Sequence, residues 1–132
     1  MGTTAQKRLV RRLDLERVLQ QVGSHPSPKA SLEQYTIPVD VASEVLFLAA
    51  YVHGNITGKI VADLGCGTGR LAIGAALLGA LQTVGIDVEK AAVKLAKNSA
   101  GEIGLKEKTD WIVGDINVLY AHFDTVLENP PF

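Results

Sequence analysis

The residues best suited to chemistry close the chain. In Asn129-Pro130-Pro131-Phe132 a side-chain amide, a carbonyl beside a proline and an aromatic ring follow one another. The Asn129 oxygen can accept one hydrogen of a planar amine. The Pro130 carbonyl can accept the other, because Pro131 brings no competing N–H and both prolines have a fixed φ. Phe132 offers a ring face on which a flipped base can stack. Two preorganised acceptors turn the amine so that its lone pair faces a methyl donor. The plain alternative is a rigid proline turn after a buried strand.

A second set lies upstream, in Asp63-Leu64-Gly65-Cys66-Gly67-Thr68-Gly69. Glycines let a backbone pass close to a ligand, and a helix behind them offers free N–H groups and a partial positive charge. Such a loop suits a nucleotide-like ligand. A dinucleotide loop wants G-x-G-x-x-G, whose third glycine permits close helix packing. Here that position is Arg70, which argues against a pyrophosphate cradle and against an NAD-type dehydrogenase.

The elements that must carry these residues follow from the flanking pattern. Lys59-Ile60-Val61-Ala62 before the loop and the apolar run 70–78 after it form the first strand-loop-helix step of a doubly wound sheet. Strand one is expected at 59–64 and its helix at 69–79. Strand two is 83–87, with Asp87 at its C-terminal end, 24 residues after Asp63. An acid there can accept from both hydroxyls of a ribose, or it can cap the helix expected at 89–101. The register with Asp63 favours the ribose. Strand three is 109–113, followed by Gly114-Asp115-Ile116. There Asp115 can accept from an adenine amino group while the Ile116 N–H donates to the ring, or Asp115 can be a turn residue. Strand four is 123–128 and delivers Asn129 to the same end of the sheet.

Ahead of the sheet, residues 5–22 read as an amphipathic helix with Lys7, Arg8, Arg11 and Arg12 in its first half. Residues 23–28 stop it with glycine and two prolines, and His25 there reads as a surface residue. Residues 31–38 read as a structured linker, or as a strip over a ligand site. Residues 39–53 read as a second helix packed on the sheet. The expected organisation is therefore a basic helix and turn over 1–30 and a sheet domain over 31–132.

Composition narrows the class. Net charge is −1, but residues 1–35 hold six Lys/Arg against three Asp/Glu, or +3, while the remainder holds seven against eleven, or −4. A solvated helix face explains the basic end better than an RNA contact does. The single cysteine, Cys66, leaves no internal disulfide and no cysteine-rich zinc site, so no metal is expected. It reads as a small filler in the loop. With no signal peptide and no membrane-length apolar run, the chain is expected to be soluble and cytoplasmic.

Together, Asp63–Gly69, Asp87, Asp115-Ile116 and Asn129–Phe132 resemble the motifs of class I S-adenosylmethionine-dependent methyltransferases that act on amino nitrogens. Adding Leu32-Glu33-Gln34-Tyr35 narrows the resemblance to structured-RNA adenine-N6 methyltransferases related to the eukaryotic small-subunit rRNA enzyme and its archaeal counterparts. The likeness covers about residues 30–132. It implies a Rossmann-like α/β sheet with helices on both faces and S-adenosylmethionine as cofactor. It also implies that Gln34, Asp63, Gly65, Gly67 and Thr68 surround the methionine end, Asp87 the ribose, and Asp115 with Ile116 the adenine. Asn129, Pro130 and Phe132 would hold the target adenine in structured RNA, most simply rRNA. The eukaryotic member works with a small zinc-containing activator that adds to the sheet edge. One departure is Ile37, where the family usually has a threonine two residues after the tyrosine. Another is length: the fold has about seven strands, and this chain stops after the fourth, so an N-terminal portion of a longer protein is expected. Alternatives are a protein glutamine N-methyltransferase using the same Asn-Pro-Pro turn, and a non-catalytic S-adenosylmethionine-binding scaffold or fragment.

Overall fold

Val61, Ala62 and Asp63 are buried in succession, on both faces of β1 (Ile60–Leu64), so this strand lies at the centre of its sheet. The computed structural model describes residues 11–23, 36–118 and 122–129. β2 (Gln82–Asp87), β3 (Thr109–Val113) and β4 (Thr125–Glu128) complete a parallel sheet in the order β3-β2-β1-β4. β1 pairs on one side with β2, Leu64 level with Ile86, and on the other with β4, Leu64 level with Glu128. Chain direction across the sheet thus reverses at β1. The crevice between the C-terminal ends of β1 and β4 is where an open α/β sheet holds a ligand.

Helices flank the sheet, as expected. α3 (Arg70–Leu77) joins β1 to β2, and α4 (Lys90–Ile103) joins β2 to β3. Glycines in the left-handed region end both crossover helices: Gly79 at φ 96° after α3 and Gly104 at φ 89° after α4. α1 (Arg12–Gln20) and α2 (Val39–Phe47) stack over α3, and Leu15, Leu19 and Val22 share one core with Ala42, Leu46, Val61, Ile73 and Leu127. Gly74 admits the contact, because a Cβ there would lie 2.3 Å from Leu46 Cδ1. A polar bridge joins α1 to α2. Ser43 is buried, its hydroxyl donates to the Glu16 carboxylate, and Arg12 Nε donates to Ser43 Oγ at 3.0 Å.

Several boundaries differ from the periodicity reading: α1 ends at Gln20 rather than 22, and α4 runs to Ile103 rather than 101. The helix over 39–53 is α-helical only to Phe47 and ends in a π-helical turn, Leu48–Val52, where the His53 N–H donates to the Leu48 carbonyl at 3.1 Å. β4 begins at Thr125 rather than 123. The Asp124 carboxylate takes the Ile60 N–H at 2.8 Å, and the Asp124 N–H donates to the Ile60 carbonyl at 2.9 Å. A side-chain clamp therefore precedes the ladder. Residues 5–10 of the first expected helix, His25, and residues 31–35 lie outside the described residues.

Candidate functional site

The glycine loop turns tightly against β2, and its Gly65, Cys66, Gly67 and Gly69 N–H groups all bond within the protein. Gly65, Gly67 and Gly69 sit at φ 70°, 54° and 93°, a region that side chains with a Cβ avoid. The Gly65 and Cys66 N–H groups donate to the Ile86 carbonyl at 2.8 and 2.9 Å, which ties the loop to β2. Gly69 begins α3 where there is no room for a Cβ: one would lie 2.9 Å from both Ala96 Cβ and the Trp111 ring. Gly85 makes the same allowance beneath it, 2.5 Å from Trp111 Cζ3 and 3.1 Å from Cys66 Sγ. Cys66 is buried there, and burial, with the charges of Asp63 and Asp87, pushes its thiol well above the usual range. It packs rather than reacts.

Three carboxylates stand at the strand ends in different environments. Asp63 is 1% exposed, and its Oδ2 accepts from the Ala72 N–H at 3.0 Å in the first turn of α3. Burial raises it from 3.8 to about 7; the Ala72 N–H opposes this and the Asp87 charge adds to it. Asp87 does two jobs at once. Its Oδ1 accepts from the N–H of Glu89, the N-cap residue of α4, at 2.9 Å, and its Oδ2 accepts from the Gly67 N–H at 2.9 Å, which holds the loop. Asp87 is thus not the cap of α4, and each of its carboxylate oxygens has a second lone pair that could take a hydroxyl. Asp115 is exposed at the end of β3, where its Oδ1 accepts from the Asn117 N–H at 3.0 Å.

Thr68, in the loop, is 3% exposed, and its hydroxyl oxygen is buried without a hydrogen-bond partner, as is that of Thr83 in β2; buried hydroxyls are ordinarily satisfied, and of the two only Thr68 stands at the strand ends. Asn129 is half-buried one residue beyond Glu128, which continues the β1–β4 register to a position level with Gly65. Asp63, Gly65, Gly67, Thr68, Asp87 and Asn129 thus meet at one end of the sheet. Asp115 and Ile116 stand beside Asp87, because Asp87 pairs with Val113 and the Gly114 N–H donates to the Asp87 carbonyl at 2.9 Å. Gln34, Pro130 and Phe132 lie outside the described residues. One further residue belongs to this end of the sheet. Val88 is 60% exposed although apolar, as Ile116 is, 51% exposed at the next strand tip. Exposed apolar groups at adjacent strand ends suit the two sides of a flat ring. Val88 could have been suspected from its place between Asp87 and Glu89, where an apolar residue has no solvation reason to stand.

The donor set asks for a ligand with a cationic end for Asp63, a diol for Asp87 and a flat base beyond it. Residues 36–132 match the family profile described as Methyltransferase small domain. The chain belongs to the methyltransferase small domain family. S-adenosylmethionine, a nucleoside carrying a cationic amino-acid tail, is its cofactor, and the residues present fit that molecule. Among relatives, the rRNA N(6)-adenosine-methyltransferase METTL5 of Danio rerio is 40% identical over 90% of this chain and 59% of its own length. The crystal structure of a protein from Pyrococcus horikoshii is 42% identical, with TM-score 0.84 over 95% of this chain and 61% of its own. An RNA methyltransferase from Salinibacter ruber, solved with S-adenosyl-L-homocysteine, is 29% identical with TM-score 0.56, over 64% of this chain and 52% of its own. The chain therefore spans about 60% of the length of the two most extensively matched of these. No helix among the described residues is long and apolar enough to cross a membrane.

Proposed function

We propose that this chain is the cofactor-binding part of an enzyme that moves a methyl group from S-adenosylmethionine to the N6 amine of an adenine in structured RNA, with rRNA as the substrate. The observation that carries the reading is the 40% identity to the zebrafish rRNA adenine-N6 enzyme across 90% of this chain. The arrangement of the strand ends supports it. In this reading Asp63 and Thr68 face the amino-acid end of the cofactor, Asp87 its ribose, and Asp115 with Val88 and Ile116 its adenine; Gln34 is assigned to the methionine end by the family resemblance alone.

The cofactor, when bound, supplies a methyl group on a positively charged sulfur. This chain's own part is positioning. Asn129, level with Gly65, accepts a hydrogen bond from the target amine and so directs the nitrogen lone pair toward the methyl-bearing end of the crevice. The Pro130 carbonyl takes the second amine hydrogen, and Phe132 stacks on the base. None of these groups is a strong base, so the rate rests on orientation. The reading extends to a partner: β3 is the outer strand on its side of the sheet, with Val113 exposed, and a small zinc-containing activator would add there.

The test uses labelled S-adenosylmethionine with total rRNA and, in parallel, with a protein fraction. The parent is expected to label RNA, with N6-methyladenosine as the modified nucleoside. Asn129→Ala should keep cofactor affinity and lose transfer by roughly 100-fold, the scale of one preorganised polar contact. Labelled glutamine in protein instead would favour the peptide alternative. Full cofactor binding with no transfer to either substrate would leave a scaffold.

A further inference from the structure

Arg70 occupies a position where a cation is disfavoured twice. It is the first residue of α3, after the N-cap Gly69, and therefore at the positive end of that helix. It is also partly desolvated, which lowers the pKa of its guanidinium. What it gains is three hydrogen bonds to two distant carbonyls. Nε and Nη2 donate to the Val22 carbonyl at 3.3 and 3.0 Å, and Nη1 donates to the Ile37 carbonyl at 3.0 Å. Val22 lies just past α1 and Ile37 just before the Pro38 N-cap of α2. One planar group thus joins the exit of α1, the entry of α2 and the turn of α3 directly behind the glycine loop. A planar fork fixes the directions of its donors toward the two carbonyls, which a rotatable ammonium does not.

We infer that Arg70 is a positioning residue for the methyl donor: by holding the Val22 and Ile37 backbone against the first turn of α3, it fixes the helix start that anchors the glycine loop. Thr68, assigned above to the amino-acid end of the cofactor, is two residues before Arg70, and the inference rests on that reading of the site. Arg70 touches no reacting atom; it acts through the backbone it holds.

The experiment is calorimetric titration of the chain with S-adenosylmethionine at a temperature where every variant is fully folded, alongside thermal melts. Arg70→Met keeps the aliphatic stem and removes the fork, and should bind roughly tenfold more weakly. Arg70→Lys, which keeps the charge and some donors but loses the rigid fork, should fall between Arg70→Met and the parent. Leu105→Ala, a packing change at the opposite end of α4, should melt earlier and bind like the parent. Should Arg70→Met not fold, Arg70→Lys decides: affinity below the parent's supports the inference, and equal affinity overturns it. Equal affinity in Arg70→Met, or an equal loss in Leu105→Ala, also overturns it. A parent that binds no S-adenosylmethionine overturns the cofactor reading and this inference with it.

Discussion

Asp63→Asn is predicted to raise stability and lower cofactor affinity. Burial holds the native Asp63 carboxyl at about 7, against 3.8 for the exposed group. The native state therefore keeps a proton that the unfolded chain releases. Stability from this site is greatest below about pH 4, declines as pH rises toward 7, and is flat above that. The displacement from 3.8 to about 7 amounts to a few kcal/mol, at about 1.4 kcal/mol per pH unit. An asparagine cannot ionise, and its oxygen can still accept the Ala72 N–H. The variant should thus be more stable than the parent at pH 8, by about 1–3 kcal/mol once the cost of placing the amide N–H groups is set against the gain. Affinity moves the other way. Under the proposed function Asp63 faces the cationic end of the cofactor, so loss of its carboxylate should cost about 1.5–3 kcal/mol or roughly 10–100-fold. For the parent, affinity should also fall as pH drops below about 7, because the cation needs the ionised carboxyl. The assay is urea unfolding of both chains at pH 5 and pH 8, with calorimetry against S-adenosylmethionine at pH 8. A parent whose stability is the same at both pH values would refute the reasoning, as would a variant that is less stable at pH 8 or binds as tightly.

Two other changes probe the site's support. Asp87→Ala removes the acceptor for both the Gly67 and Glu89 N–H groups, and should cost about 1–2 kcal/mol of stability as well as about 1–3 kcal/mol of cofactor affinity; unchanged calorimetry would remove Asp87 from the ribose. Gly85→Ala places a methyl 2.5 Å from Trp111 and should cost about 1–3 kcal/mol by overpacking, read as a lower melting midpoint; an unshifted midpoint would mean that the Trp111 ring moves freely.

Much of the fold was legible because its signals are local. The apolar run before Asp63, the three glycines and the apolar helix after them specify β1, the loop and α3 within one or two residues. The spacing of Asp63, Asp87 and Asp115 follows from a repeated strand-helix unit, so three strand ends could be placed from sequence. Contacts between distant segments were not legible. Arg70 read only as a missing third glycine, yet its partners lie 33 and 48 positions away, and no periodicity reports a guanidinium bound to backbone carbonyls. The late start of β4 has the same origin, since the Asp124 carboxylate reaches Ile60 across 64 positions. Asp87 was posed as a choice between capping and ligand binding; its two oxygens instead take the Gly67 and Glu89 N–H groups, and α4 is entered through Glu89 without a side-chain cap. Cys66 read correctly as a filler, because a glycine at 85 leaves space that only a small side chain and the Trp111 ring can share.

The central claim is that the crevice at the β1–β4 switch point takes S-adenosylmethionine rather than a dinucleotide. Calorimetric titration of the chain with S-adenosylmethionine, with NAD as control, tests it most directly. Saturable one-to-one binding of S-adenosylmethionine and no heat from NAD is the predicted result. Binding of NAD, or of neither, would contradict the account.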